Sequence, residues 1–570
     1  MKIFNQPIEL IVKPGPMGGK AAGAGNIRKQ FAAAGLPVDD IVDRSIQLPV
    51  KAGQKRTAKS MPGTQANRYV RTRITDAEMN PWDAAHLGAR ALGSGVGFVE
   101  PDMLNEYVVD RNLDVPFKQG IAKGKKPDTD NVDPDWQPAK NMIWHLGDDF
   151  SQLAKARAEV AGLDTPVRIA HIDTGYNPSH KAIPPSRRNH PLERSFIEGE
   201  DACDAHDRYT SGTGRMPGHG TGTLALLAGG IMKIKTDDGT FNDYLGGAYF
   251  ADVFCLRISP TVILFKTSAF AEAINYLTAL CRAGTPVHVV SMSMGGAPSR
   301  AWTEAVNKAY EAGIVLVTAA GNNFGGVPTR HVVYPARYNR VLAASGVTFD
   351  RKPYFIKKLT EMQGCFGPER YMDNAISAFT PNIPWAYGND SAIDFSGAGT
   401  SSATPQVAAA AAIYYRKYAA ELNALSPWQR AEAIRYALRK SASKKANPIN
   451  SFKNDFGNGI LQAFDALSIP VNTAVQKTPE DTTPWFPILT TMFKSAPKST
   501  PSARLQMFNT ELEQLIFYNP DLGFLIDDGK RGIDKVGARK WKTFTEAVLA
   551  HPDTSEALKK YLMATHGKGK

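Results

Sequence analysis

The chain has 570 residues, 43% of them hydrophobic and 21% charged, with a net charge of +12 and a pI near 9.2. That length exceeds the roughly 250 to 300 residues one hydrophobic core usually supports, so more than one domain is expected, and the composition excludes disorder for most of it. No apolar run approaches the roughly 20 residues that span a bilayer. The basic charge comes without the interleaved aromatics or binding module of a nucleic-acid protein, so it reads as a solvated surface.

The first residues, MKIFNQPIELIVKPGP, place Asn5, Gln6, Pro7 and Glu9 where a signal peptide needs an uninterrupted apolar stretch. Cys203, Cys255, Cys281 and Cys365 have neither metal-site nor disulfide-framework spacing. Together these features lean towards a cytoplasmic protein.

In chain order, residues 1–112 read as a small α/β unit. Strands are expected at 8–14, 67–75 and 96–102 and helices at 26–36 and 80–92, a ferredoxin-like pattern, with 39–66 as a loop insertion. The run KPGPMGGKA fails as a phosphate loop, because Pro14 stands where the first Gly is needed and Ala21 where Ser or Thr is. Residues 113–144 are Lys/Asp/Pro-rich and read as linker.

From 145 to 470, strands such as PVRIAHID, ADVFCLRI, VHVVSMSM, GIVLVTAA and RVLAASGVT alternate with helical stretches. Near-continuous apolar strands separated by helices predict a doubly wound, mostly parallel sheet covered on both faces, with ligands at the strands' carboxyl ends. After 470 comes a Pro/Thr/Ser-rich stretch, then helices at about 502–517, 534–549 and 553–565, the last opened by Asp553 with Glu556 three residues on.

Three short segments carry the chemistry: HIDTG with Asp173, GHGTGT with His219 and GTSSATP with Ser401. An Asp at a strand end can hold a histidine's Nδ1 proton, a His at a glycine turn opening a helix can act as base, and a Ser before a helix can be a nucleophile near backbone N–H donors. Taken singly, each has an ordinary reading: a turn-capping Asp, a structural His, an N-cap Ser.

Their order and surroundings resemble the subtilases, the subtilisin-like serine peptidases, over roughly residues 145–470. SMSMGG, AAGN, VVYPARY and FGNGILQAFDAL fall where that family has further characteristic segments. The resemblance implies a catalytic triad of Asp173, His219 and Ser401, the Ser chosen over Ser402 and Ser396 by the pattern Gly-Thr-Ser-x-Ala-x-Pro, and Asn322 as oxyanion donor. It implies that Ser293, Met294 and Gly295 pair with substrate, Met294 lining an apolar subsite, and that Gly321 and the segment around Tyr334 form walls. Gly222 departs from the second His common in the family, so the packing there should differ.

The close of the first unit, GVGFVEPDMLNEYVV, resembles the end of the family's propeptide inhibitor domain, which implies an intramolecular inhibitor whose tail enters the cleft. The unit could instead be a permanent part or a partner-binding module. A protein or peptide substrate is implied, no cofactor is expected, and the C-terminal helices are a candidate docking module for a protein partner. The cluster Cys203, Asp204, His206 and Asp207 reads as a solvated loop before it reads as a metal site. Lys181 stands where an Asp is common in the family, so no metal ligand is carried over. A catalytically silent binding protein on the same scaffold is the rival, and it would predict a broken triad or a missing oxyanion donor.

Overall fold

A computed structural model describes residues 8–14, 24–44, 69–75, 79–93, 96–106, 143–184, 190–208, 218–236, 239–262, 264–324, 329–354, 362–388, 391–482, 503–526 and 536–566. Most of the expected linker, part of the 39–66 insertion, the Gly-Lys run and residues 483–502 lie outside these.

Seven strands form one parallel sheet in the order Ala375–Phe379, Val341–Val347, Val315–Ala319, Val289–Met292, Arg168–Asp173, Asp252–Arg257, Arg194–Ser195. Successive residues alternate between its two faces because side chains in a strand have a period of two. Ile169, Val253 and Val289 join one core, with the helices His219–Ala228 and Thr400–Lys417. Ala170, Phe254 and Val290 join the other, with the helices Thr267–Arg282 and Arg300–Glu311. This is the expected doubly wound fold. The chain runs Arg168–Asp173, Asp252–Arg257, Val289–Met292, so it crosses from one side of the first of these strands to the other. Asp173 therefore ends the strand at the topological switch, where such sheets open a crevice.

The first unit forms a four-stranded antiparallel sheet with the helices Ala24–Ala33 and Pro81–Leu92. Its order is Val38–Arg44, Tyr69–Ile74, Ile8–Pro14, Val96–Pro101, which is ferredoxin-like. The strand Val38–Arg44 stands where the sequence reading has the start of a loop insertion.

This sheet packs on the Thr267–Arg282 and Arg300–Glu311 helices and caps both. The Glu100 carboxylate accepts from Ser299 Oγ (2.8 Å) and from the amides of Arg300 and Ala301 (2.9 Å each). Asp102 accepts from the Ser268 amide (2.8 Å) and hydroxyl (2.6 Å). Helix starts leave amides without intrahelical partners, and these carboxylates supply them while meeting the positive end of each helix dipole. Past Asp102, Leu104–Glu106 pairs antiparallel with Leu264–Lys266 of the larger unit.

Residues 471–482, expected as linker, are instead packed down: buried Asp481 accepts from the amides of Asn339 (2.8 Å) and Arg340 (3.0 Å). The C-terminal helices Ala503–Tyr518, Pro520–Ile526, Ala538–Ala550 and Glu556–His566 share a core of Phe508, Leu512, Phe544, Val548 and Leu558. The last is N-capped by Ser555, whose hydroxyl accepts from the Leu558 amide (3.0 Å), and not by the expected Asp553.

This helical group bridges the other two units. Asp83 of the first unit accepts from the amides of Glu556 and Ala557 (2.9 Å each), Trp82 Nε1 donates to Gln514 (3.0 Å), and His86 Nε2 lies 3.3 Å from Glu511. On its other side, Gln514 donates to the Pro298 carbonyl (2.9 Å) and Tyr334 to Glu513 (2.7 Å). Among the described residues, no helix is long and apolar enough to cross a membrane.

Candidate active site

Asp173 and His219 meet. The Asp173 Oδ1 to His219 Nδ1 distance is 2.7 Å, and both side chains are buried. The approach depends on two glycines. Gly175, at φ +94°, turns the chain after Asp173, and a Cβ there would sit 2.5 Å from the Ala205 carbonyl. A Cβ on Gly220 would lie 1.9 Å from the Gly175 carbonyl, so only glycine lets the turn after the acid touch the helix that carries the base.

Burial alone would raise the Asp173 pKa, but the charge and hydrogen bond of His219, together with His171 and the Thr174 amide (2.7 Å), hold it below its ordinary value. The carboxylate is thus ready to stabilise an imidazolium.

The turn is braced from beneath. Arg257, fully buried in the neighbouring strand, grips Glu200 with Nε (2.8 Å) and Nη2 (3.1 Å) and donates to the Thr174 carbonyl. Asp207, from the cluster weighed as a metal site, lies 3.4 Å from Arg257 Nη1 and accepts from Thr174 Oγ1 (3.3 Å) and the Gly218 amide (3.2 Å). Asp204 accepts from the His206 amide (2.9 Å). Among the described residues no group of three or more His, Cys, Asp or Glu is placed to hold a metal.

Gly222 leaves the space that Trp385 occupies. A Cβ on Gly222 would come within 2.1 Å of the indole, which meets the His219 ring edge-on at 5.6 Å between centroids. The altered packing expected at this position is therefore an aromatic wall beside the imidazole.

Ser401 lies in the first turn of Thr400–Lys417, a helix whose alanines let it run through the core. Pro405 has no N–H to give the Ser401 carbonyl four residues back. Ser293 Oγ donates to that carbonyl instead (3.0 Å), while the Ser401 hydroxyl donates to the Ser293 carbonyl (3.3 Å). Ser293, expected as part of a substrate strand, is thus a reciprocal partner of Ser401. Met294, expected to line a subsite, is 2% exposed and packs in the core with Met292, Trp302 and Tyr334.

Asn322 lies against Thr400. Its Oδ1 accepts from the Thr400 amide (2.9 Å) and hydroxyl (3.2 Å), so the free valence of the side-chain amide is its N–H₂ end. Gly399, at φ +79°, allows this, since a Cβ there would stand 2.9 Å from Asn322 Nδ2. The neighbouring Asn323 is wholly buried beside Gly364 and Cys365. Gly321 is stapled by both backbone groups to Thr400 Oγ1 (3.2 and 3.1 Å), and Gly296 is bridged to Tyr334. Gly295 is buried between Met294 and that bridge.

Asp173 at the switch point of a parallel sheet, His219 on the adjoining helix and Ser401 at the start of the central helix keep the chain order of the subtilase segments. The subtilase family model matches residues 164–459, more than half of the 570 residues, and the chain belongs to that family. It is 29% identical over 302 residues to the thermostable alkaline protease of Halalkalibacterium halodurans, a match covering 52% of this chain and 66% of that protein. It is 28% identical over 254 residues to subtilisin DY of Bacillus licheniformis (44% and 77%), and 26% identical over 383 residues to alkaline elastase YaB of a Bacillus strain (65% and 84%).

Proposed function

We propose that the protein is a serine endopeptidase that cleaves peptide bonds through a Ser401 acyl-enzyme. The observation that carries this is the 2.7 Å contact between Asp173 and His219, with Ser401 in the first turn of a helix that shares a core with the helix of His219. Ser401 Oγ turns from the Ser293 carbonyl to His219 Nε2, gives up its proton there and attacks the scissile carbonyl. Asn322 Nδ2 and the Ser401 amide hold the resulting oxyanion. His219 then protonates the leaving amine, and water repeats the sequence on the ester. Substrate pairs as an added strand beside residues 293–295, whose small residues leave room for a peptide backbone.

The first unit acts as an intramolecular inhibitor. In support, Glu100 and Asp102 dock it on two helices, and Leu104–Glu106 pairs with Leu264–Lys266 as an added strand. The partner of the C-terminal helices is this same unit, held by Asp83 and Trp82. A fluorophosphonate probe tests the catalytic reading. Wild-type protein labels and hydrolyses peptide, whereas Ser401→Ala does neither, and a labelled Ser401→Ala protein refutes the assignment.

A further inference from the structure

Behind the Asp173–His219 pair lies a second, wholly buried polar array. Thr223 sits one turn beyond His219 on the same helix, and its hydroxyl is 3.1 Å from Asp173 Oδ2, the oxygen that His219 does not use. The same hydroxyl is 2.8 Å from His171 Nε2. His171 precedes Asp173 by two residues, so both side chains leave the strand on one face. In the neighbouring strand its register partner is Cys255, whose sulfur is 3.6 Å from His171 Nδ1. Relative exposures are 1%, 0%, 0% and 1% for His171, Thr223, Asp173 and Cys255.

The direction of every hydrogen bond follows from one constraint. The Thr223 hydroxyl has a single proton, and an ionised carboxylate is its strongest acceptor, ahead of the His219 and Gly220 carbonyls at 3.3 Å. Its lone pair therefore accepts from His171, which must carry its proton on Nε2, leaving Nδ1 to accept from the Cys255 thiol. A doubly protonated ring would turn a donor on a thiol, and burial with the nearby His219 pushes the His171 pKa down to about 4. Four groups thus point one way, from thiol to imidazole to hydroxyl to carboxylate. Beyond Thr223 the helix is apolar, Leu224 to Ala228, and the residues flanking His171 are Ile169, Ala170 and Ile172, so hydrophobic side chains would fill both sites without the desolvation this array costs.

We propose that Thr223 and His171 are positioning residues for the base. They hold the second oxygen of Asp173, fix the plane of its carboxylate and spread its charge, and so set the basicity of His219. This rests on the triad reading above. Other ionisable groups nearby are Glu193, bonded to Tyr176, and the Arg257, Glu200 and Asp207 group around Thr174, none of which the variants below remove.

The test is the pH profile of kcat/KM for a peptide substrate. Thr223→Val keeps the shape and deletes the donor, concentrating negative charge on Asp173 so that His219 binds its proton more tightly. The acid limb moves up by about one pH unit, a tenfold change in proton affinity, and kcat falls about tenfold. Thr223→Ser restores both. His171→Leu shifts the limb in the same direction by less, and His171→Gln, which keeps an N–H for Thr223, returns it. An unmoved limb and kcat in Thr223→Val overturn the proposal.

A second measurement is the His219 ring titration by NMR in Ser401→Ala and in Ser401→Ala/Thr223→Ser and Ser401→Ala/His171→Leu proteins. It needs no turnover and covers the case in which Thr223→Val does not fold. A His171→Leu titration identical to that of its parent also overturns the proposal. Absent fluorophosphonate labelling of wild-type protein would strike the triad reading alone.

Discussion

The two faces of the parallel sheet are finished in different ways. On one face Asp173, His219 and Ser401 are placed by contacts within residues 168–405: the glycines at 175 and 220, the Arg257 brace and the Ser293–Ser401 exchange. On the other face, the Thr267–Arg282 and Arg300–Glu311 helices begin with amides satisfied by carboxylates from another unit. The placement of Asp173, His219 and Ser401 is therefore internal to the subtilase unit, while the second face is completed by residues of the first unit.

The largest expected effect lies on the first face. Ser401→Ala should lower turnover by about 10⁴-fold or more without changing the thermal midpoint or the docking contacts. Asn322→Ala should lower kcat by roughly 10² to 10³-fold with KM nearly constant, the size found for the same donor in a subtilisin, because the oxyanion exists only beyond the ground state. A matching rise in KM would mean that Asn322 binds substrate instead.

On the second face the effects are smaller and depend on pH. Burial pushes the Glu100 carboxyl up to about 7 and the Asp102 carboxyl above its ordinary value. A group whose docked pKa exceeds its free value near 4.5 holds an extra proton when docked, so docking is strongest below about 4.5 and weakens as pH rises through about 7. Hydrogen exchange at the Ser268 and Ala301 amides, followed from pH 5 to 8 after correction for intrinsic rates, should show the loosening. Glu100→Gln should flatten most of it, and an unchanged slope would remove Glu100 as its source.

The smallest effect expected is that of Asp83→Ala, which removes the acceptor of the Glu556 and Ala557 amides and leaves the Ser555 cap in place. A capping residue contributes about 1 kcal/mol. Exchange of the Glu556 and Ala557 amides should rise about fivefold.

The sequence marked Asp173, His219 and Ser401 because each sits in a short glycine-marked segment whose geometry is local. It carried the sheet because buried parallel strands are apolar throughout. Val38–Arg44 escaped because VDDIVDR holds three Asp residues, a poor strand composition that is tolerated only at the sheet edge, where this strand lies. Ala375–Phe379 is not among the expected strands either, being a short run of five residues at the end of the sheet.

The Ser293 contact left one readable signal: Pro405, four residues after Ser401, frees a carbonyl that some donor must take. His171 and Thr223 left another, as further polar residues within the HIDTG and GHGTGT segments, each next to an apolar run. The helix caps at Glu100 and Asp102 left none, since both join residues more than 160 positions apart.

The bridge between the first unit and the C-terminal helices has a consequence in time. Asp83 and Ala557 are separated by 474 positions, and Trp82 and Gln514 by 432. A chain leaving the ribosome can build the first unit, then the subtilase unit, and bring Glu100 and Asp102 to their helices, all before Ala557 has been translated. The clasp at Asp83 closes last, so until then the first unit is held on the larger unit by its sheet packing, the Leu104–Glu106 pairing and the Glu100 and Asp102 caps.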